Sequence, residues 1–322
     1  MSLFLKLLAL TLAQSVASEG TDDWCYSSQA KVLNCSGPEA WPGYCQTGEQ
    51  SPINIITKQI KLNYSLVDFK FSGYDLKQET FIKNNGYTIK MPLPDSAKIS
   101  GGGLSGTYKG VESHLHWSDS VDKGSEHTID GKAFAMEMHV IHMKEKFANL
   151  SMALASSDRD AFAVLGFLIE ASNQKHEGFQ IILDALDKVS YKNGNTSTKP
   201  LSLEELLPDV KNRKKYFRYM GSLTTPDCDV KVIWTVFKTT IGLHKDQILQ
   251  FSKKLFYNEK IQSTPSPSSS PIKDFPIIDN FRPVQELKNR IVYHNGVEGL
   301  LPHTWPKFLA PLLTYLLAIL LY

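Results

Sequence analysis

The chain has almost no excess charge of either sign. Its 35 Lys and Arg stand against 33 Asp and Glu, a formal net charge of +2. That balance argues against a dedicated nucleic-acid binder, which needs a strong positive excess. There is no uninterrupted apolar run of the ~20 residues that a spanning helix needs, which excludes a polytopic membrane protein. Its 20 Gly and 16 Pro follow no period, which excludes a collagen-like fibre. No internal repeat runs through it, and no linker divides it into two domains. What is present is a chain of 322 residues, 42% hydrophobic, enough for a sizeable core and too apolar for a disordered chain. Nine His and four Cys carry the chemical interest.

The two ends differ from the rest. Residues 1–18 place one early Lys before an apolar run and close on Val16-Ala17-Ser18, the pattern of a secretory signal peptide. The last apolar stretch, Phe308 to Tyr322, contains Pro311 and has no basic tail after it. Asn295-Gly296, a short spacer and that tail form the pattern of a GPI-anchor signal, with Asn295 as the attachment residue and 296–322 removed. The expected mature domain is 19–295. A secreted chain is expected to form disulfides. Four Cys allow three connectivities; if all pair, one local bridge and one long-range bridge are forced, because only Cys228 lies far from Cys25, Cys35 and Cys45. The sequons at Asn63, Asn149 and Asn195 are expected glycosylation sites; a fourth, Asn34, adjoins Cys35.

Most segments are short and β-like, separated by turn signals such as Asn85-Gly86 and Gly101-Gly102-Gly103. The best helical patterns are Glu177–Val189 and His244–Leu255. The Ser- and Pro-rich stretch 262–271 reads as an exposed loop, and the basic run Lys211–Arg218 as a solvated face.

The strongest chemical signal is His114-Leu115-His116. In a strand, residues i and i+2 share a face, so two imidazoles stand side by side. A second alternating segment puts Glu137, His139 and Ile141 on one face. If the two strands are neighbours, His139 completes a three-His set, the pattern of a catalytic Zn²⁺ site with its fourth position open. His142 faces away from His139 and reads as a packed residue.

The segments Ser113–Trp117, Gly124–Thr128, Glu137–His142 and Gly221–Pro226, with Gln50–Asn54, Asn84–Gly86, Ala163–Gly166 and Asp279–Pro283 in order, resemble the α-class carbonic anhydrases. The signal peptide, the Cys pattern and the tail are similar to those of the secreted, GPI-anchored type IV/XV branch. The resemblance implies a mainly β (α+β) single domain with a large, twisted, mostly antiparallel central sheet and short peripheral helices. It implies reversible hydration of CO₂ to bicarbonate and a proton at the extracellular face of the plasma membrane. Zinc would be bound by His114, His116 and His139, with Glu137 and Glu112 behind them. Thr224 and Glu126 would orient a zinc hydroxide, and Tyr26, Thr225, Leu223, Ile141, Val164, Val232 and Trp234 would line the substrate pocket. The branch pairs cysteines like Cys25 with Cys35, and Cys45 with Cys228. Bicarbonate or proton transporters are candidate protein partners.

Two positions depart from the family pattern. Efficient members carry His where this chain has Tyr87. Passing a proton from a group of pKa ~7 directly to water is uphill by about 12 kcal/mol, which limits turnover to about 10⁴ s⁻¹. Imidazole relays such a proton and phenol does not, so slow proton export is expected here. Glu112 stands where the family usually has Gln; a carboxylate there should make His114 more basic and raise the pKa of zinc-bound water, with Lys90 partly compensating. The other reading is a non-catalytic binding or adhesion ectodomain on the same scaffold. Family members of that kind lack one or more of the zinc His, and all three are present here.

Overall fold

The computed structural model describes residues 24–260 and 274–296. The expected signal peptide, the Ser- and Pro-rich stretch and the expected anchor tail lie outside them. Alternating apolar residues drive the architecture. Leu115, Trp117, Met138, Val140, Leu165 and Phe167 pack into one fully buried core on one face of the sheet. The residues between them face the other way, toward a smaller core built on Ile53, Phe162, Val164 and Trp234. A strand that buries both faces gains apolar contact on each side, at about 25 cal/mol per Å² removed from water.

Twelve strands form the main sheet. At its centre Tyr108–Trp117 pairs antiparallel with Met136–Lys144, which pairs antiparallel with Phe162–Ser172. Phe162–Ser172 then pairs parallel with the long strand Val232–His244. Tyr216–Gly221 follows antiparallel on its other side. Outward from Tyr108–Trp117 come Ile89–Pro92, then Gln78–Asn84 and Asn195–Leu201, all antiparallel. The sheet is therefore mainly antiparallel, as the resemblance implied. One parallel pair lies near its middle, and a second joins the two-residue strands Tyr293–His294 and Lys61–Leu62 at its edge.

Helices are short and peripheral. The first expected helix is Glu177–Leu183, followed by a separate 3₁₀ turn at Leu186–Lys188. Tightening the chain there keeps Phe179, Ile182, Leu183 and Leu186 all buried against the sheet. The second is Lys245–Lys254; His244 ends the preceding strand and caps the helix by accepting from the Asp246 N–H at 3.2 Å. Two disulfides are formed, Cys25–Cys35 and Cys45–Cys228. Among the described residues no helix is long and apolar enough to cross a membrane.

The run Lys211–Arg218 is not uniformly solvated, contrary to expectation. Its lysines are exposed, but Arg213 and Arg218 are buried. Strand alternation turns Arg218 inward onto the rings of Phe69 and Tyr216, and Arg213 lies 4.5 Å over Phe71 while pairing with Glu204. Arginine buries well because its flat guanidinium stacks on aromatic faces.

Candidate metal centre and catalytic cleft

The register of the central strands assembles the site. His114 lies directly opposite His139, and His116 opposite Glu137. Directly opposed residues in an antiparallel pair share a face, so four functional side chains occupy one patch. His139 Nδ1 lies 3.1 Å from His116 Nε2 and 3.3 Å from His114 Nε2. The neighbouring strand leaves room for this. Gly166 stands beside His139, and a Cβ there would come within 3.1 Å of Glu137 Oε1.

The outer nitrogens decide the proton count. His116 Nδ1 is 2.7 Å from the Asn280 carbonyl, which can only accept, so Nδ1 carries the proton. His139 Nε2 is 2.8 Å from Glu137 Oε1 and donates likewise. His114 Nδ1 is 3.3 Å from Glu112 Oε1, without a well-aligned hydrogen bond. Burial depresses the pKa of His114 to about 4 and that of His139 well below the usual range. His114 and His139 are thereby held neutral, and the inner nitrogens of the three rings point at one another. Lone pairs at 3.1–3.3 Å repel unless a cation lies among them. The donor set, three imidazoles with carboxylates or a carbonyl behind them, fits Zn²⁺.

Glu137 is the anchor of this patch. Its carboxylate accepts from His139 Nε2, from His127 Nδ1 at 2.7 Å, and from the N–H groups of Glu126 and His127 at 2.9 and 2.7 Å. Burial alone would raise its pKa; His127 and His139 overcome that and hold it well below the carboxylate range. His127 hands the network on to the Tyr219 hydroxyl at 2.7 Å, which donates to Ser51 Oγ. The sequence reading passed over His127, Tyr219, Asn280 and Arg282. Only the Gly124–Thr128 and Asp279–Pro283 segments hinted at three of them.

Glu126 is held from the other side. The Arg282 N–H donates to its Oε1 at 2.8 Å, and the Arg282 guanidinium reaches Gln50 Oε1 and the carbonyls of Ser51 and Cys45. Burial raises the pKa of Glu126, while His116, the Arg282 N–H and the Thr224 hydroxyl pull it down. Thr224 faces this carboxylate, but Oε2 remains buried without a well-aligned hydrogen bond. Glu112 behaves differently. Its burial favours the neutral acid, but His114 and Lys90 hold the carboxyl at about 2, with Lys90 Nζ 3.0 Å from Oε1.

A cavity of about 360 Å³ opens over His114 and His139. Tyr26, Tyr87, Ile141, Val164, Leu223, Thr224, Thr225 and Trp234 line it, together with Leu150, Leu154 and Phe162, which the sequence reading did not include. Val232 is the exception to the expected wall. It shares a strand face with Trp234 but is completely covered, lying in the small core beside Phe162. Tyr87 sits at the rim, stacked on Trp24 with ring centroids 4.0 Å apart, its hydroxyl donating to the Trp24 carbonyl at 3.0 Å. Asn149 is exposed and caps the helix Leu150–Ala155 beside the cavity. Asn195 is also exposed, and Asn63 is half-buried. Asn295 is buried, accepting from the Tyr216 N–H and donating to the Lys214 carbonyl.

The sheet carries three convergent imidazoles to the floor of a largely apolar cleft, an arrangement able to hold a metal ion. The family model for eukaryotic-type carbonic anhydrases matches residues 36–296. Carbonic anhydrase 4 of Rattus norvegicus is 44% identical over 98% of this chain and 99% of its own length. Carbonic anhydrase 4 of Oryctolagus cuniculus is 43% identical over 99% of each, and carbonic anhydrase 15 of Mus musculus 35% identical over 89% of this chain and 86% of its own. The chain belongs to the eukaryotic-type carbonic anhydrase family and is a carbonic anhydrase, a lyase.

Proposed function

We propose that the protein catalyses zinc-dependent, reversible hydration of CO₂ to bicarbonate and a proton at the outer face of the plasma membrane. The observation that carries this reading is the convergence of three imidazole nitrogens at the foot of a mostly apolar cleft. His114, His116 and His139 would hold the zinc. The ion, when bound, supplies a Lewis acid that makes a water proton removable near neutral pH. The remaining work belongs to the chain. Glu137, the Asn280 carbonyl and Glu112 fix the three rings. Ile141, Val164, Leu223 and Trp234 offer an apolar wall that suits uncharged CO₂ better than water. Thr224, with Glu126 accepting its proton, keeps its oxygen as an acceptor, so an attacking oxygen that donates to it is left with a lone pair directed at the substrate. Thr224→Ala should therefore lower kcat/KM about 10²-fold at unchanged zinc content, with partial recovery in Thr224→Ser. Equal activity of the two variants would refute the orienting role.

Tyr87 makes proton export the slow part of turnover. Its ring is committed to the stack on Trp24 and its hydroxyl to a carbonyl. In stopped-flow hydration by the zinc-loaded protein, kcat should climb about tenfold or more as imidazole buffer is raised, and this dependence should weaken in Tyr87→His. Absence of hydration at any buffer concentration would overturn the enzyme reading. Hydration insensitive to buffer would overturn only the part assigned to Tyr87.

The outer-face location rests on residues 1–18 and 296–322 as secretion and GPI signals and on two formed disulfides, which suit an oxidising compartment. Attachment would use the main-chain carboxyl of Asn295 and leave its buried side chain in place. Zinc-loaded protein that stays on cells after treatment with a phosphatidylinositol-specific phospholipase C would count against the anchor. Asn63, Asn149 and Asn195 remain the proposed glycan sites, and bicarbonate or proton transporters the proposed partners.

A further inference from the structure

Beside the strand Tyr216–Gly221 lies a second cavity, a groove of about 530 Å³ lined by Arg159, Arg218, Arg290, Leu66, Ile233 and Ile291 among others. Arg218 is its unusual member. It is 7% exposed, yet no carboxylate pairs with it among the described residues. Its Nε and one Nη both donate to a single oxygen, Thr235 Oγ1, at 3.1 and 3.0 Å. Three of its five N–H donors are left over. The rings of Phe69 and Tyr216, 5.7 and 5.5 Å away, offset part of the charge. Arg290 is 9% exposed; among the described residues its hydrogen bonds go only to the carbonyls of Leu287, Glu286 and Met220, and its guanidinium lies 5.5 Å over the Tyr219 ring. The acid in the groove is Glu49, which Arg159 already holds. A buried cation without a counter-charge is costly, and a chain that retains one beside open space has a place for an anion.

We infer that this groove binds an amphipathic organic anion, its oxyanion head on the Arg218 and Arg290 guanidiniums and its apolar body along Leu66, Ile233 and Ile291. A guanidinium fork matches the geometry of a carboxylate or phosphate and pairs with it in two parallel bonds. A mostly apolar groove of this size with a few convergent charged groups is the usual form of a small-molecule site. Trp234 lines the catalytic cleft while its neighbour Thr235 turns to the other face and meets Arg218; Tyr219, which the Arg290 guanidinium overlies at 5.5 Å, lies between the groove and the His127 network.

The test uses the purified, disulfide-bonded protein after enzymatic deglycosylation, because the Asn63 sequon lies on the groove rim. Thermal unfolding is followed against octanoate and against inorganic phosphate at constant ionic strength. Octanoate should raise Tm by about 5 °C at hundredfold excess over its Kd. Calorimetric binding should weaken at least tenfold in Arg218→Leu, and also in Arg290→Gln, the milder variant should the first not fold. CO₂ hydration should be unchanged in Arg218→Leu, and His139→Ala, which alters the cleft, should still bind octanoate. Equal Tm shifts in wild type and both variants, or no shift, would overturn the site. Phosphate binding as tightly as octanoate would overturn the amphipathic ligand and assign the groove to a free inorganic oxyanion.

Discussion

Replacing His139 by Ala should abolish both zinc retention and turnover. His139 Nδ1 is the nitrogen to which the other two both come close, at 3.1 and 3.3 Å. Without it two donors remain, too few to hold zinc against water. The loss reaches further than one ligand. Glu137 would forfeit a hydrogen bond at 2.8 Å, and its buried charge would rest on His127 and two backbone N–H groups. We expect hydration to fall by about 10⁴-fold or more, the scale set by losing the metal's contribution to the barrier, with zinc content by atomic emission dropping in parallel. Glu137→Gln keeps three imidazoles but weakens the support behind one. It should lower zinc affinity by about 10–100-fold and leave loaded enzyme partly active. His139→Ala protein that still holds one zinc per chain and still turns over would show that another site does the chemistry.

Breaking the Cys45–Cys228 bridge should be the most damaging change to stability. The bridge spans a sequence separation of 183 residues. Closing so long a loop removes about 5 kcal/mol of unfolded-state entropy in the chain-entropy model. That is a factor of about 10⁴ in the folding constant and a large share of the roughly 5–15 kcal/mol that a domain has in total. The double variant Cys45→Ser/Cys228→Ser should show a urea midpoint lowered accordingly, with an m-value that reports any change in the unfolded state. Activity should suffer as well. Cys228 lies in the turn after Thr224-Thr225-Pro226, and the Cys45 carbonyl accepts from Arg282, whose N–H holds Glu126. A variant with an unmoved midpoint would mean that packing around Trp41 and Tyr26 secures this corner without the bond. The Cys25–Cys35 bridge closes a much shorter loop, with a separation of 10, and its loss should cost less.

The central site was largely legible because its information is local. A strand period of two puts His114 beside His116 and Glu137 beside His139, and only the pairing of the two strands had to be supplied. The outlying support was not legible for the opposite reason. Asn280 and Arg282 meet His116 and Glu126 across 164 and 156 residues of chain, and no periodicity records such a contact. Charge patterning failed at Lys211–Arg218 because solvent exposure was assumed of a run that enters a strand at Tyr216, where alternate residues must turn inward. Val232 failed more narrowly. The resemblance alone put it in the cleft wall; it is fully covered, and the aromatic ring of Phe162, paired with it across the strands, lines the cleft instead.

The Arg282 contacts also set an order of events during synthesis. The three imidazoles and Glu137 all leave the ribosome within the first half of the chain, whereas Arg282 emerges near its end. At about 5–20 residues per second the interval is roughly seven to thirty seconds. Until it closes, Glu126 lacks its 2.8 Å bond from Arg282, and Gln50, Ser51 and Cys45 lack the guanidinium that draws them together. The three imidazoles are therefore all synthesised well before the residue that completes the cleft around them. A chain terminated before residue 282 would carry the three histidines and lack the contacts that hold Glu126 and the Cys45–Ser51 segment in place.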